Sequence, residues 1–376
     1  MTAHTRPARA LATVDLGAIR RNVALLSSRA AASGAATMAI VKADGYGHGA
    51  EQAARAALRG GATWLGACSM AEALALRQAG IDAPLFSWLE SWDADFAPAL
   101  EAGIDVSVSS ASELARVAGA SARTGKRARV HLKIDTGLSR NGCPPELWPT
   151  LVKAAAAESG VDVVAVWSHL AAADEPGHPS IDRQARRFSE AYDLAREAGL
   201  TPLRHLANSA ATLTRPDLHF DLVRPGIAIY GLNPVPESAD LTPAMTFSSH
   251  VVLTKRIAAG EAVSYGLTWT AERDTTVALV PVGYADGVPR TLSGRMDVWL
   301  GGRRRPVVGR VCMDQIVVDC GDDEPPLGAE VVLFGTGSEG GPTAREWADT
   351  IGTIDYEIVT GMYRPRVQRT YPGAES

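Results

Sequence analysis

The sequence predicts an α/β fold in two parts: an N-terminal (β/α)8 TIM-type barrel over residues 12–240, then a C-terminal, mostly-β domain over 241–376 against which residues 1–11 pack. Three observations carry that expectation. The chain has 376 residues, more than one hydrophobic core usually accommodates. From about residue 13 to 230, short apolar or β-branched runs alternate with Ala/Leu/Arg-rich segments of helical period. After about residue 240 the helical period fades, and short apolar runs follow one another between Gly, Pro, Asp and Arg turns.

In order, the first set of runs is TMAIV (37–41), TWLGA (63–67), PLFS (84–87), IDVSV (104–108), RVHLKI (129–134), VDVVAVW (161–167), LRHL (203–206) and FDLV (220–223). Their hydrophobicity is continuous rather than alternating, which marks strands covered on both faces, as in a parallel sheet. Segments such as AEQAARAALR (50–59), MAEALALRQA (70–79), ASELARVA (111–118) and 180–198 supply the crossover helices. Eight such units in about 200 residues favour a closed barrel over an open doubly wound sheet. The Pro-rich stretch NPVPESADLTP (233–243) is the junction. Beyond it, 246–257, 275–281, 306–311, 315–319 and 330–334 read as strands.

Composition narrows the function. Hydrophobic residues make up 46% and charged residues 21%, with a net charge of -5 and no charged tail, so nucleic acid and membrane surfaces are excluded as expected partners. Cys68, Cys143, Cys312 and Cys320 form no C-x-x-C pair and match no zinc spacing, so reduced thiols and no metal site are expected. The N-terminus has no apolar h-region and no stretch approaches a membrane span, so the expected location is the cytoplasm.

The sharpest chemical signal is IVKADGYGHG (40–49). A strand ends at Lys42, where a barrel places functional groups. An amine there cannot be buried without losing or offsetting its charge. Gly45, Gly47 and Gly49 free backbone N–H groups, and Tyr46 adds a hydroxyl. Together they suit a phosphate held near an amine, as a pyridoxal-phosphate (PLP) Schiff-base lysine requires.

This stretch closely resembles the PLP attachment site of the alanine racemase family. The resemblance runs on in register through HLKIDTGLSRNG (131–142), SHLAAADEP (168–176), ANSAATL (207–213), VRPGIAIYGL (223–232), VSYGLTW (263–269), VGYADGVPR (282–290) and GRVCMDQ (309–315). It implies a PLP-dependent isomerase that interconverts L- and D-alanine by a two-base route and supplies D-alanine for peptidoglycan. It also implies a homodimer with shared active sites. By the resemblance, Lys42 is the Schiff-base lysine and one base, and Tyr265, from the partner subunit, is the other. Tyrosine's reference pKa of about 10 means that such a base needs nearby cations or hydrogen bonds. His169 and Arg224 are the residues implied to supply them.

Arg224 is further implied to face the pyridine nitrogen, which it would leave unprotonated because a guanidinium does not give up its proton. Tyr46, Ser209, Gly226, Ile227 and Tyr356 match the phosphate contacts; from the residues alone, Ser209 is equally readable as a helix N-cap. Arg140 and the Met313 main chain match the substrate-carboxylate contacts, and Lys133 matches a lysine often carbamylated in the family. Trp88 and Tyr284 are candidates to bound a small pocket. Two departures stand out: Leu170 where an aromatic is common, and Ser139 where glycine is common.

Two other readings compete. A barrel-type PLP amino-acid decarboxylase shares the plan and the lysine, but its glycine-rich phosphate motif and G-P-x-C-x-S-x-D segment are absent from this sequence. A non-catalytic PLP carrier resembles the barrel alone and leaves the β domain without a purpose.

Overall fold

The structure, a computed structural model, describes residues 8–373. Residues 1–7, included in the expectation for 1–11, lie outside the described residues. The chain divides into two compact units, one of Ile19–Gly45 and Gly49–Leu241, the other of Met1–Ala18, Tyr46–His48 and Thr242–Ser376.

The chain enters through β1 (Leu11–Val14), which belongs to the second unit; the sequence reading had counted residues from 12 onward with the barrel. The barrel unit has eight parallel strands: β2 (Ala36–Ile40), β3 (Trp64–Ala67), β4 (Leu85–Ser87), β5 (Ile104–Val108), β6 (Ala128–Lys133), β7 (Val161–Trp167), β8 (Leu203–His205) and β9 (Leu222–Val223). Each falls on one of the eight expected runs. Neighbours follow chain order from β2 to β8, and β9 pairs beside β2. The remaining seam is bridged by the Asp221 N–H donating to the Arg204 carbonyl (3.2 Å) and the Arg224 N–H to the Ala207 carbonyl (2.9 Å). The Arg204 guanidinium reinforces it on the Asp221 carboxylate at 3.0 Å.

Local sequence explains the crossover helices. Ser69 and Glu72 form a capping box that starts Met70–Gln78, and Ser110 caps Ala111–Thr124 through the Glu113 N–H. Ala50–Arg59 buries only alanines (Ala53, Ala54, Ala56, Ala57). The barrel interior departs from the usual layers of branched aliphatics. Phe86 of β4, His131 of β6, Trp167 of β7 and His205 of β8 meet ring to ring at centre distances of 4.2–5.7 Å.

Among the described residues, the second unit is built on a nine-stranded sheet. Its later strands are β10 (Met245–His250), β11 (Leu253–Ile257), β14 (Thr275–Val280), β15 (Asp297–Trp299), β16 (Arg304–Val308), β17 (Ile316–Gly321), β18 (Glu330–Phe334) and β19 (Gln368–Thr370), with the hairpin β12 (Ala262–Val263) and β13 (Trp269–Thr270) apart from it. The run 246–257, expected as one strand, is broken: β10 pairs with β18 and β11 with β14, and Val251 and Val252 turn between them. Two helices that the sequence reading did not foresee, Ala344–Ile351 and Asp355–Thr360, also lie here. Among the described residues no helix is long and apolar enough to cross a membrane, and no cluster of His, Cys, Asp and Glu is placed to hold a metal ion.

Candidate active site

At the C-terminal end of β2 the chain makes a turn that L-residues rarely adopt. Ala43, Asp44, Gly45 and Tyr46 all have positive φ, between 51° and 63°. Three of the four carry a Cβ, at roughly 1 kcal/mol each. Hydrogen bonds hold the turn. One oxygen of Glu72 accepts the Ala43 N–H (2.7 Å) while the other accepts those of Cys68 (2.7 Å) and Ser69 (3.2 Å). Asp44 accepts the Ala50 N–H through its side chain at 2.9 Å and the Gly49 N–H through its carbonyl at 2.8 Å. Lys42, at the head of the turn, is half-buried, with its amine 5.8 Å from the centre of the Trp88 ring. Burial holds that amine below the usual lysine value. Cys68 and Glu72 pull it up, and Arg140 adds to the lowering.

Arg224 follows β9 and is 5% exposed. Its Nη1 donates to His205 Nδ1 at 3.1 Å, and its Nη2 to the Ser168 carbonyl at 2.7 Å and His169 Nδ1 at 3.2 Å. Among the described residues its Nε–H meets no protein acceptor. Burial lowers its pKa, yet it stays a cation at neutral pH. Burial, with Arg224, Arg140, Lys133 and Lys42 nearby, holds His169 well below its ordinary value and therefore neutral. Lys133 ends β6 almost fully buried, its amine 4.2 Å from the centre of the Trp167 ring. Burial first, then Arg224 and Arg140, push it down to about 8. Arg140 is exposed, in the loop after β6.

Ser209 starts the short helix Ser209–Thr214, but the N-cap is Asn208, whose side chain accepts the Ala211 N–H at 3.1 Å. The N-cap alternative for Ser209 therefore falls away. The Ser209 hydroxyl oxygen instead receives the backbone N–H groups of Gly226 (2.8 Å) and Ala228 (3.3 Å). Two amides thus converge on one buried oxygen, with Ile227 between them.

The remaining expected residues lie in the second unit. Tyr46 is buried, with its ring 6.1 Å from that of Tyr356. Next to it a Cβ on Gly47 (φ 81°) would stand 2.5 Å from the Val359 carbonyl oxygen, so only glycine fits that crossing. Tyr265 sits at the tip of the β12–β13 hairpin and is 73% exposed; Met313 is 52% exposed. The Met313 carbonyl accepts the Ala285 N–H at 3.0 Å, and Tyr284 donates its N–H to the Cys312 carbonyl at 3.0 Å, which ties 283–285 to 312–313. The hairpin is fixed by Ser264 Oγ donating to the Arg310 carbonyl at 2.8 Å.

Lys42, Lys133, Arg140, His169, Ser209, Arg224, Gly226 and Ile227 thus share the barrel unit, and Tyr46, Tyr265, Met313 and Tyr356 share the other. Several supporting residues escaped the sequence reading. Glu72 was visible as the last member of the S-x-x-E box at 69–72; Asp105, His131 and His205 were visible as polar residues inside otherwise apolar runs.

Family models match for the alanine racemase N-terminal domain over residues 14–234 and the C-terminal domain over 244–371. The alanine racemase of Salinispora arenicola is 55% identical over 365 residues, covering 96% of this chain and 97% of the relative. That of Mycobacterium avium is 54% identical over 373 residues, covering 97% and 95%. The solved alanine racemase from D-cycloserine-producing Streptomyces lavendulae superposes with a TM-score of 0.95 at 48% identity, over 98% of each chain. A Bartonella henselae alanine racemase solved with covalently bound pyridoxal phosphate superposes at 0.88 with 29% identity, over 97% of this chain and 100% of that one. With both domain models matched and likeness running through nearly the full length, the chain belongs to the alanine racemase family of isomerases.

Proposed function

We propose that the protein racemises alanine with two bases on opposite faces of the substrate and pyridoxal 5'-phosphate as cofactor, working in the cytoplasm to supply D-alanine for peptidoglycan. The observation that carries this reading is Lys42, an amine that burial shifts toward its neutral, nucleophilic form at the C-terminal end of a barrel strand.

The donor set of the barrel unit fits the cofactor. Two amides focused on the Ser209 oxygen suit a phosphate oxygen, and a Lys42 amine with a lowered pKa suits a carbonyl carbon. The Arg224 Nε–H suits a neutral aromatic nitrogen, which an arginine leaves unprotonated. Lys42, Ser209, Gly226 and Arg224 would hold the group; Ile227, Tyr46 and Tyr356 join them on the strength of the resemblance. When bound, the cofactor supplies the electron sink that acidifies the α-hydrogen of an amino acid.

The chain's own residues do the rest. Lys42 holds or releases a proton on one face. Tyr265 of a second copy does so on the other, which its exposed position on a hairpin tip permits. Neutral His169, with Nδ1 occupied by Arg224, carries its proton on Nε2 and so offers a donor toward a tyrosine oxygen. Arg140 and the Met313 main chain take the substrate carboxylate. Trp88 and Tyr284 limit the side chain to a small one.

The test is to incubate the purified protein with L-alanine and follow D-alanine and carbon dioxide, then reduce it with borohydride and map the modified peptide. D-alanine without carbon dioxide, and label on Lys42, are expected. Carbon dioxide would indicate a decarboxylase, label elsewhere would remove Lys42 from its role, and no turnover would indicate a carrier.

A further inference from the structure

The barrel core holds a polar string that the reading above does not use. Asp105, near the start of β5, His131, in β6, and His205, at the end of β8, are 2%, 0% and 0% exposed. Asp105 Oδ2 lies 3.1 Å from His131 Nε2, His131 Nδ1 lies 2.9 Å from His205 Nε2, and His205 Nδ1 lies 3.1 Å from Arg224 Nη1. At the other end half-exposed Arg129 holds the Asp105 carboxylate with two bonds, Nε to Oδ1 at 2.7 Å and Nη2 to Oδ2 at 3.1 Å. Asp105 and Arg129 sit near the N-terminal ends of their strands, and Arg224 lies beyond the C-terminal end of its own. The string therefore runs the length of the barrel interior.

Its direction is forced from both ends. A guanidinium only donates, so His205 Nδ1 accepts and the ring's proton sits on Nε2. His131 Nδ1 must accept that proton's hydrogen bond, which leaves the His131 proton on Nε2, aimed at a carboxylate that only accepts. A second proton on either ring would set two donors face to face. Burial holds both imidazoles below their ordinary value; at His131 Asp105 pulls the other way, and Arg224 adds to the lowering at both. Phe86 stacks on His131 (4.2 Å, 15°) and Trp167 on His205 (5.6 Å, 13°), so neither ring can turn freely. Aliphatic side chains would fill this space without burying a charge, so the string is not explained by packing alone.

We propose that Asp105, His131 and His205 are positioning residues that act through Arg224. Asp105 fixes the direction of the string, which makes His205 Nδ1 an obligatory acceptor, and that acceptor sets the plane of the guanidinium and the aim of its outward donor. Without Asp105 only the Arg224 end still opposes reversal, and each reversed string would press a His205 Nδ1–H against Arg224 and turn the guanidinium aside. This inference rests on Arg224 facing the ring nitrogen of the cofactor.

The experiment is nitrogen NMR on the full chain, labelled in histidine and loaded with PLP, with His131→Gln and His205→Gln used to assign the signals. In the wild type both rings should be neutral with the proton on Nε2 throughout the neutral and mildly alkaline range. Asp105→Ala should give mixed tautomers at His205, weaken PLP binding about tenfold by equilibrium dialysis, and shift the absorbance of the bound cofactor. His131→Leu, which cuts the string without disturbing the surface pair, should do the same if Asp105→Ala fails to fold. A cationic or Nδ1-protonated ring in the wild type overturns the proposal. So does a scrambled His205 tautomer with unchanged affinity and spectrum, because the string would then position nothing. Failure of the underlying reading looks different: Arg224→Ala itself would leave the cofactor's absorbance where it was.

Discussion

Lys133 shows what burial does to one side chain. Its amine, at about 8, is partly neutral near physiological pH. A neutral amine is what carbon dioxide requires: the nitrogen lone pair bonds to carbon, one proton leaves, and the product is an anion. That anion would stand among Arg140 and Arg224, whose charges lower the amine, and would be stabilised by them. Carbon-13 bicarbonate at about pH 8 should therefore give a carbamate NMR signal that Lys133→Arg abolishes; a wild type without the signal would reject the modification. In carbon-dioxide-free buffer the sign of the pH effect is fixed. The folded value lies below the unfolded value of about 10.4, so the unfolded chain binds the extra proton between them. The penalty is complete below about 8 and is relieved as pH rises toward about 10.4. The urea midpoint of the wild type should gain on that of Lys133→Met over this window; parallel curves would contradict the shift. Ser139, read from the sequence as a departure from glycine, now has a physical explanation. It adopts φ 55°, where glycine sits without strain, and its N–H is held by Asp135 Oδ1 at 3.1 Å.

Between single residues and whole units, the turn after β2 and the β12–β13 hairpin are the elements on which the proposed chemistry depends. Glu72 engages three backbone N–H groups, one of them in the left-handed turn that follows Lys42. Glu72→Ala should cost about 1–3 kcal/mol of stability, speed hydrogen exchange at residues 43–45 and loosen PLP. Unchanged exchange there would mean that the turn holds itself. In the hairpin, Gly266 has φ 73°, and a Cβ would stand 3.0 Å from the Arg310 guanidinium carbon. Gly266→Ala should displace Tyr265 and lower racemisation at least tenfold while PLP content stays at the wild-type level. Loss of PLP would place the defect elsewhere. The barrel strands were legible because strands covered on both faces are continuously apolar. The hairpin was not, because β12 and β13 have two residues each and no periodicity to show. The helix Ala344–Ile351 had a readable start in Thr343-x-x-Glu346 and an end in Gly352, but eight residues surrounded by strands carry a weak helical period.

At the scale of the whole molecule, a second copy is required by the proposed division of labour between Lys42 and Tyr265. Lys42→Ala and Tyr265→Ala, each inactive, should regain activity when unfolded together and refolded with PLP. Random pairing makes about half the dimers mixed, each with one site holding both bases, so recovery should approach roughly a quarter of wild type. Mixed dimers without activity would place both bases in one chain. The two-part organisation was visible as a change of period near residue 240. The strand β1 was not legible in advance, because LATV looks the same whether it opens a barrel or joins a distant sheet. Only pairing partners far along the chain decide that, and local sequence does not carry them.

That strand also has a consequence for synthesis. β1 lies between β10 and β19, with Leu11 opposite Ser248 on one side and Gln368 on the other. Ribosomes add about 5–20 residues per second, so β1 emerges tens of seconds before either neighbour exists. The barrel's strands pair in chain order and can close in the meantime, while β1 waits with both edges open. The sheet is completed only when the last strand arrives, which makes the nascent chain most vulnerable to edge-to-edge aggregation during elongation and exposes β1 to chaperones for longer than any later strand.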